Sequence, residues 1–61
     1  MKNNLKVERA IKNITQEELA AVIGVSRQAV NSIELGKYVP STVLALKLSK
    51  FFNKPVNDIF F

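Results

Sequence analysis

The chain contains no cysteine, no histidine and no tryptophan, and only two glycines and two prolines among its 61 residues. Without cysteine no disulfide can staple the fold, and the Cys/His sites that hold structural zinc cannot be built. A Cys or His nucleophile and an imidazole base are excluded for the same reason. No apolar run approaches the ~20 residues that cross a bilayer. Nor does a charged start lead into an apolar signal-peptide core. A soluble, cytoplasmic protein with no membrane association, no metal and no cofactor is the expectation. At this length the chain is expected to form one domain, residues 1–61. So small a domain buries only about 60% of the surface its unfolded chain exposes, which makes a deep substrate cleft unexpected and a partner subunit useful.

What is present is apolar content and positive charge. Nine Lys plus Arg against five Asp plus Glu give a net charge of +4, with a sequence pI near 9.8. A domain pI above about 9 is an electrostatic footprint of nucleic-acid binding when the charge clusters on one face, and ordinary solubility charge when it does not. The hydrophobic fraction of 48% suits a packed domain.

Gly24, Gly36, Pro40 and Pro55 divide the chain into short pieces. Residues 5–12 read as a first helix that Asn3 or Asn4 can cap. Thr15 and Glu18 have the spacing of a capping box, and Ile14 and Leu19 that of a hydrophobic staple. This second helix, with Leu19, Ala20 and Ile23 on one face, stops at Gly24 and is too short to be stable unpacked. A third begins after Ser26, with Val25 and Val30 as a second staple pair and Val30 and Ile33 inward, and ends at Gly36. Two short helices joined through a glycine turn make a helix-turn-helix arrangement. Ser41 caps a fourth helix in which Leu44, Ala45, Leu48, Phe51 and Phe52 form an apolar stripe. Asn53 fits the cap past its end and Pro55 prevents continuation. The tail, residues 56–61, allows one last helical turn with Ile59 and Phe60 packing inward. Nothing alternates with period two, so the fold class is all-α with about five helices.

Opposite Val30 and Ile33, the third helix presents Gln28, Asn31, Ser32 and Leu35, with Arg27 at the edge. A solvated face is ordinarily rich in Lys and Glu, which favour helix; Asn and Ser cost a few tenths of a kcal/mol each relative to Ala. Amide side chains pair with adenine in bidentate fashion, and Arg with guanine. This face therefore reads either as a base-reading surface or as an indifferent polar one. Gln16 and the unpaired amides at the start of the second and third helices favour anions, and Lys37 and Tyr38 follow the third helix where a second phosphate would lie. Ser26 has two candidate jobs, cap and phosphate donor, and capping alone suffices to explain it.

The ordered set Ile14-Thr15-Gln16-Glu17-Glu18-Leu19-Ala20, Ile23-Gly24-Val25-Ser26-Arg27-Gln28, Ile33-Glu34-x-Gly36-Lys37, Pro40-Ser41 and Asn53-x-Pro55-x-x-Asp58-Ile59-Phe60 resembles the phage-repressor and Cro-like helix-turn-helix family, the XRE-type regulators, in its compact stand-alone form. The resemblance covers nearly the whole chain. It implies a five-helix, lambda-repressor-like domain whose third helix enters the major groove of double-stranded DNA. Arg27, Gln28 and Ser32 would then face base edges, with Asn31 near bases or backbone. Gln16 matches the family's phosphate-binding glutamine, and Arg9 and Glu34 match an ion pair tying the first helix to the third. Glu8 departs from the pattern, standing where relatives usually place an aliphatic residue toward the core. Ile11 stands where they often place a charge. Both departures point to a rotated or loosened first helix.

These features lead to a sequence-specific transcriptional regulator, a repressor that occupies a palindromic operator as a homodimer. An antitoxin-type interaction module that binds a toxin and DNA shares the same scaffold, and an enlarged apolar surface would favour it. An enzyme is not expected: Glu17 and Glu18 are adjacent carboxylates, but consecutive helix positions point apart. Candidates for the dimer contact are Leu46, which lies across the fourth helix from the apolar stripe and otherwise packs on the last helix, and Phe60 and Phe61 at the chain end.

Overall fold

A computed structural model describes residues 2–61. It contains α1 (Leu5–Ile11), α2 (Gln16–Ile23), α3 (Arg27–Glu34), α4 (Thr42–Phe52) and α5 (Val56–Ile59). None of these helices would persist alone, since isolated helices shorter than about 12–15 residues are marginal in water. They are held by one apolar cluster in which Leu5, Leu19, Val30, Leu48 and Ile59 are fully buried, one or more from each helix. Each such side chain contributes about 1.5–3 kcal/mol relative to exposure.

Local chemistry sets the helix ends. Thr15 Oγ1 accepts from the Glu18 amide at 3.0 Å and Glu18 Oε1 accepts from the Thr15 amide at 2.9 Å, which closes the capping box. Ser26 and Ser41 cap α3 and α4 by accepting from the amides of Ala29 and Leu44. Asn4 holds the cap position of α1 without a side-chain cap bond; the residue before it, Asn3, accepts from the Leu5 amide through Oδ1 at 3.0 Å, while its Nδ2 donates to the Ile33 carbonyl at 2.8 Å. One side chain thus starts α1 and ties it to the end of α3. Gly24 ends α2 at φ +76°, in the left-handed region. A Cβ at Gly24 would meet nothing within 4 Å, so glycine is required by the backbone conformation and not by space. Asn53 takes the same role after α4 at φ 54°.

Three features depart from the sequence expectations. The chain ends pair: Lys2 and Phe61 exchange backbone hydrogen bonds of 3.1 and 2.9 Å, and the Asn4 amide donates to the Ile59 carbonyl at 2.8 Å. Phe60 is correspondingly buried, 8% exposed, within the core cluster. It is therefore withdrawn as a dimer-contact candidate; its inward packing stands. Finally, α1 is not rotated. Leu5 and Glu8 face inward and Ile11 outward. Glu8 keeps the core-facing position because Lys54, from the turn after α4, donates to its Oε2 at 2.9 Å. An ion pair occupies the place of an aliphatic contact. Among the described residues no helix is long and apolar enough to cross a membrane.

Candidate nucleic-acid interface

α2 and α3 are each other's main packing partners. The Gly24 turn between them is closed by the amides of Gly24 and Val25, which both donate to the Ala20 carbonyl at 2.9 and 3.0 Å. Val30 and Ile33 are buried, so the helical period turns the opposite side of α3, with Arg27, Gln28 and Asn31, outward. Arg27, Gln28 and Asn31 are exposed, and with Gln16 of α2 they line one shallow cleft. Ser32 is only half-exposed. The chain after α3 folds back over its side, where the amides of Lys37 and Tyr38 donate to the Ser32 carbonyl at 2.9 and 3.2 Å.

A hydrogen-bonded chain of side chains underlies the cleft. Arg9 Nε lies 2.8 Å from Glu34 Oε2, and its Nη1 donates to the Ile14 carbonyl at 3.0 Å. Glu34 Oε1 accepts from Gln16 Nε2 at 3.1 Å, and the same Nε2 donates to Asn31 Oδ1 at 3.1 Å. The Gln16 amide is thus turned toward α3 with both its N–H groups used. A phosphate offers only acceptors, so the Gln16 side chain would have to leave one of these bonds to donate to it. The backbone amides of Gln16 and Glu17 at the start of α2 lack helical partners and need no such exchange, whereas that of Glu18 is taken by Thr15 Oγ1. Asn31, its oxygen held by Gln16, keeps its Nδ2 donors for a ligand.

Ser26 acts as cap acceptor through Oγ, which leaves its own O–H as a donor. Lys37 is exposed. Tyr38 is half-exposed beside Gly24, Val25, Ser41 and Lys47, on the side of the α2–α3 turn and the start of α4. It does not line the cleft that holds Gln28 and Asn31. Among the described residues no group of three or more carboxylates stands close enough to hold a metal ion.

Sequence reasoning missed the Gln16–Asn31 and Gln16–Glu34 bonds. The signal available to it was the polarity of Gln16, which is equally consistent with a ligand contact. Only the packing of α2 on α3 decides where the amide goes.

A short glycine-turned helix pair whose second helix is held by its apolar side and presents Arg, Gln and Asn outward defines a DNA-binding helix-turn-helix domain. Residues 5–59 match the helix-turn-helix family, and the chain belongs to it as an XRE-type member. It is 57% identical over 60 residues to an uncharacterised HTH-type transcriptional regulator of Methanocaldococcus jannaschii, covering 98% of this chain and 91% of that one. An uncharacterised HTH-type transcriptional regulator of Bacillus subtilis is 48% identical over 60 residues, with the same two coverages. The HTH-type transcriptional activator BcrR of Enterococcus faecalis is 39% identical over 51 residues, which are 84% of this chain and 25% of that protein. The chain is a DNA-binding transcription regulator and not an enzyme.

Proposed function

We propose that the protein is a single-domain cytoplasmic repressor, residues 1–61, that binds a palindromic operator as a homodimer. The observation that carries this reading is the exposed polar face of α3, where Arg27, Gln28 and Asn31 share a cleft with Gln16. Arg27 and Gln28 have the chemistry for guanine and adenine edges, and Asn31 offers its Nδ2 to a base acceptor. Ser32 reads from the rim. The Gln16 side chain, on exchanging one of its bonds, the α2 amides beside it, the Ser26 hydroxyl, Lys37 and the Tyr38 hydroxyl serve the phosphates on either side of the inserted helix. Repression is the reading adopted because a protein seated in the major groove of an operator blocks other proteins from the same DNA.

Geometry supports the dimer. An eight-residue helix is ~12 Å long and reads only a few base pairs, too few for selectivity in a genome. Two such helices must lie ~34 Å apart to enter successive major grooves. The body measures 23 × 22 × 19 Å, so two copies side by side meet this spacing when α3 lies beyond the middle of each. Leu46 and Phe61, 57% and 61% exposed, provide apolar material for the contact.

Gln28→Ala is expected to leave the fold intact and relax preference at one base position by about 1–3 kcal/mol. Gln16→Ala is expected to weaken binding to every sequence and, by releasing Asn31, to relax preference at a different position. Binding of each variant to a set of single-position operator variants checks this. Identical specificity profiles for the two mutants would remove the assigned roles.

A further inference from the structure

On another side of α2 from the DNA cleft, Val22, Ile23 and Phe51 form the floor of a groove between α2 and α4, and Lys47 and Lys50 stand at its rim. At 100° per residue Val22 lies about 120° round α2 from Gln16. Val22 is 57% exposed and Phe51 is half-buried, with the Lys12 ammonium 5.0 Å from the centre of its ring. Lys12, Lys47 and Lys50 therefore converge on one apolar strip. The ion pairs among the described residues are Arg9–Glu34 and Lys54–Glu8, and neither involves these three lysines. Glu18, one turn before Val22, is engaged in the capping box. The DNA-facing set contains two cations, Arg27 and Lys37, so this groove holds more unpaired positive charge than the reading face does.

We propose that this groove docks an acidic amphipathic helix of a partner protein. An apolar floor offers nothing to a phosphate backbone but buries the apolar stripe of a helix, whose anchors recur at i, i+3, i+4 and i+7. The lysine rim complements carboxylates flanking that stripe and sets the partner's orientation and encounter rate. A second copy of this chain does not fit the charge. Of its five carboxylates, Glu8 and Glu34 are ion-paired and Glu18 caps α2, leaving Glu17 and Asp58 against three lysines. A regulator able to hold DNA on α3 and a partner on this groove links operator occupancy to a second protein.

The test uses the full chain and a fluorescent helical peptide of about 15 residues, with Leu at i, i+3, i+4 and i+7 on a Glu/Ala background. Saturable binding is expected, with no saturation by a scrambled peptide of the same composition. Lys47→Glu/Lys50→Glu and, independently, Val22→Asp are expected to weaken binding about tenfold or more, while Lys2→Glu/Lys6→Glu, an equal charge change elsewhere, alters it less than about twofold. Duplex DNA binding by Val22→Asp is expected to match that of the parent. Three results would each overturn the proposal. The first is equal binding of the scrambled peptide, or equal losses in both lysine pairs, which reduces the effect to net charge. The second is loss of duplex binding in Val22→Asp, which makes the groove a DNA surface. The third is loss of self-association in Val22→Asp, which makes it a contact between copies.

Discussion

Replacing Arg9 with alanine is expected to lower the unfolding free energy by about 3 kcal/mol, the lower end of the range for breaking a buried ion pair. The Glu34 side chain is 5% exposed and that of Arg9 is 17% exposed, so Arg9→Ala strips two charged hydrogen bonds from a carboxylate that water cannot reach well. The Ile14 carbonyl loses its donor as well. Gln16 alone then remains on Glu34. A core of this size supplies only about 3–5 kcal/mol of net stability, so the variant should retain about 0–2 kcal/mol and show an unfolded fraction at 25 °C without urea. Lys12→Ala removes a surface contact with Phe51 and should cost about 0.5–1 kcal/mol. Replacing both partners, as Arg9→Met with Glu34→Leu, should restore most of the loss, because no buried charge is stranded. Urea melts followed by far-UV circular dichroism provide the comparison. Equal midpoints for Arg9→Ala and Lys12→Ala would mean that the pair contributes nothing.

The second large effect is expected in salt. Each neutralised phosphate contributes a slope of about −0.9 to a plot of log affinity against log salt. In the proposed complex Arg27 lies in the groove and Lys37 at its edge, so each protomer brings two cations against the duplex and a dimer displaces about four counterions. The slope is then near −3.6, and affinity falls roughly 150-fold between 50 and 200 mM salt. Lys37→Ala should flatten the slope by about 1.8 per dimer and weaken all sequences alike. Lys50→Ala should leave it unchanged, since Lys50 belongs to the α2–α4 groove. Fluorescence anisotropy titrations at several salt concentrations measure these slopes. An affinity indifferent to salt would contradict the phosphate contacts.

The elements were legible in the sequence because their determinants are local. Thr15 and Glu18 are three residues apart, Ser26 and Ser41 act on amides three residues on, and Gly24 and Asn53 act on their own backbone. The outward face of α3 was legible for the same reason, since two buried positions and a 100° period determine what lies opposite. Contacts between distant segments were not. Glu8 meets Lys54 across 46 residues, and no local pattern announces that a carboxylate on an inner face has a lysine waiting. The pairing of residues 2–4 with 59–61 is too short for a period-two signal. That pairing draws Phe60 inside and leaves Phe61 out. The orientation of Gln16 depends on how α2 crosses α3, which neither helix encodes alone.

The central claim is that α3 reads a specific duplex sequence in a two-fold symmetric pair. Selection of bound sequences from random double-stranded DNA by the full chain tests it most directly. The expected result is an enriched motif with two-fold symmetry, its half-sites centred about 10 base pairs apart, with Gln28→Ala losing information at one position in each half. Failure to enrich any sequence would contradict specific reading by α3. A single short asymmetric site would contradict the homodimer.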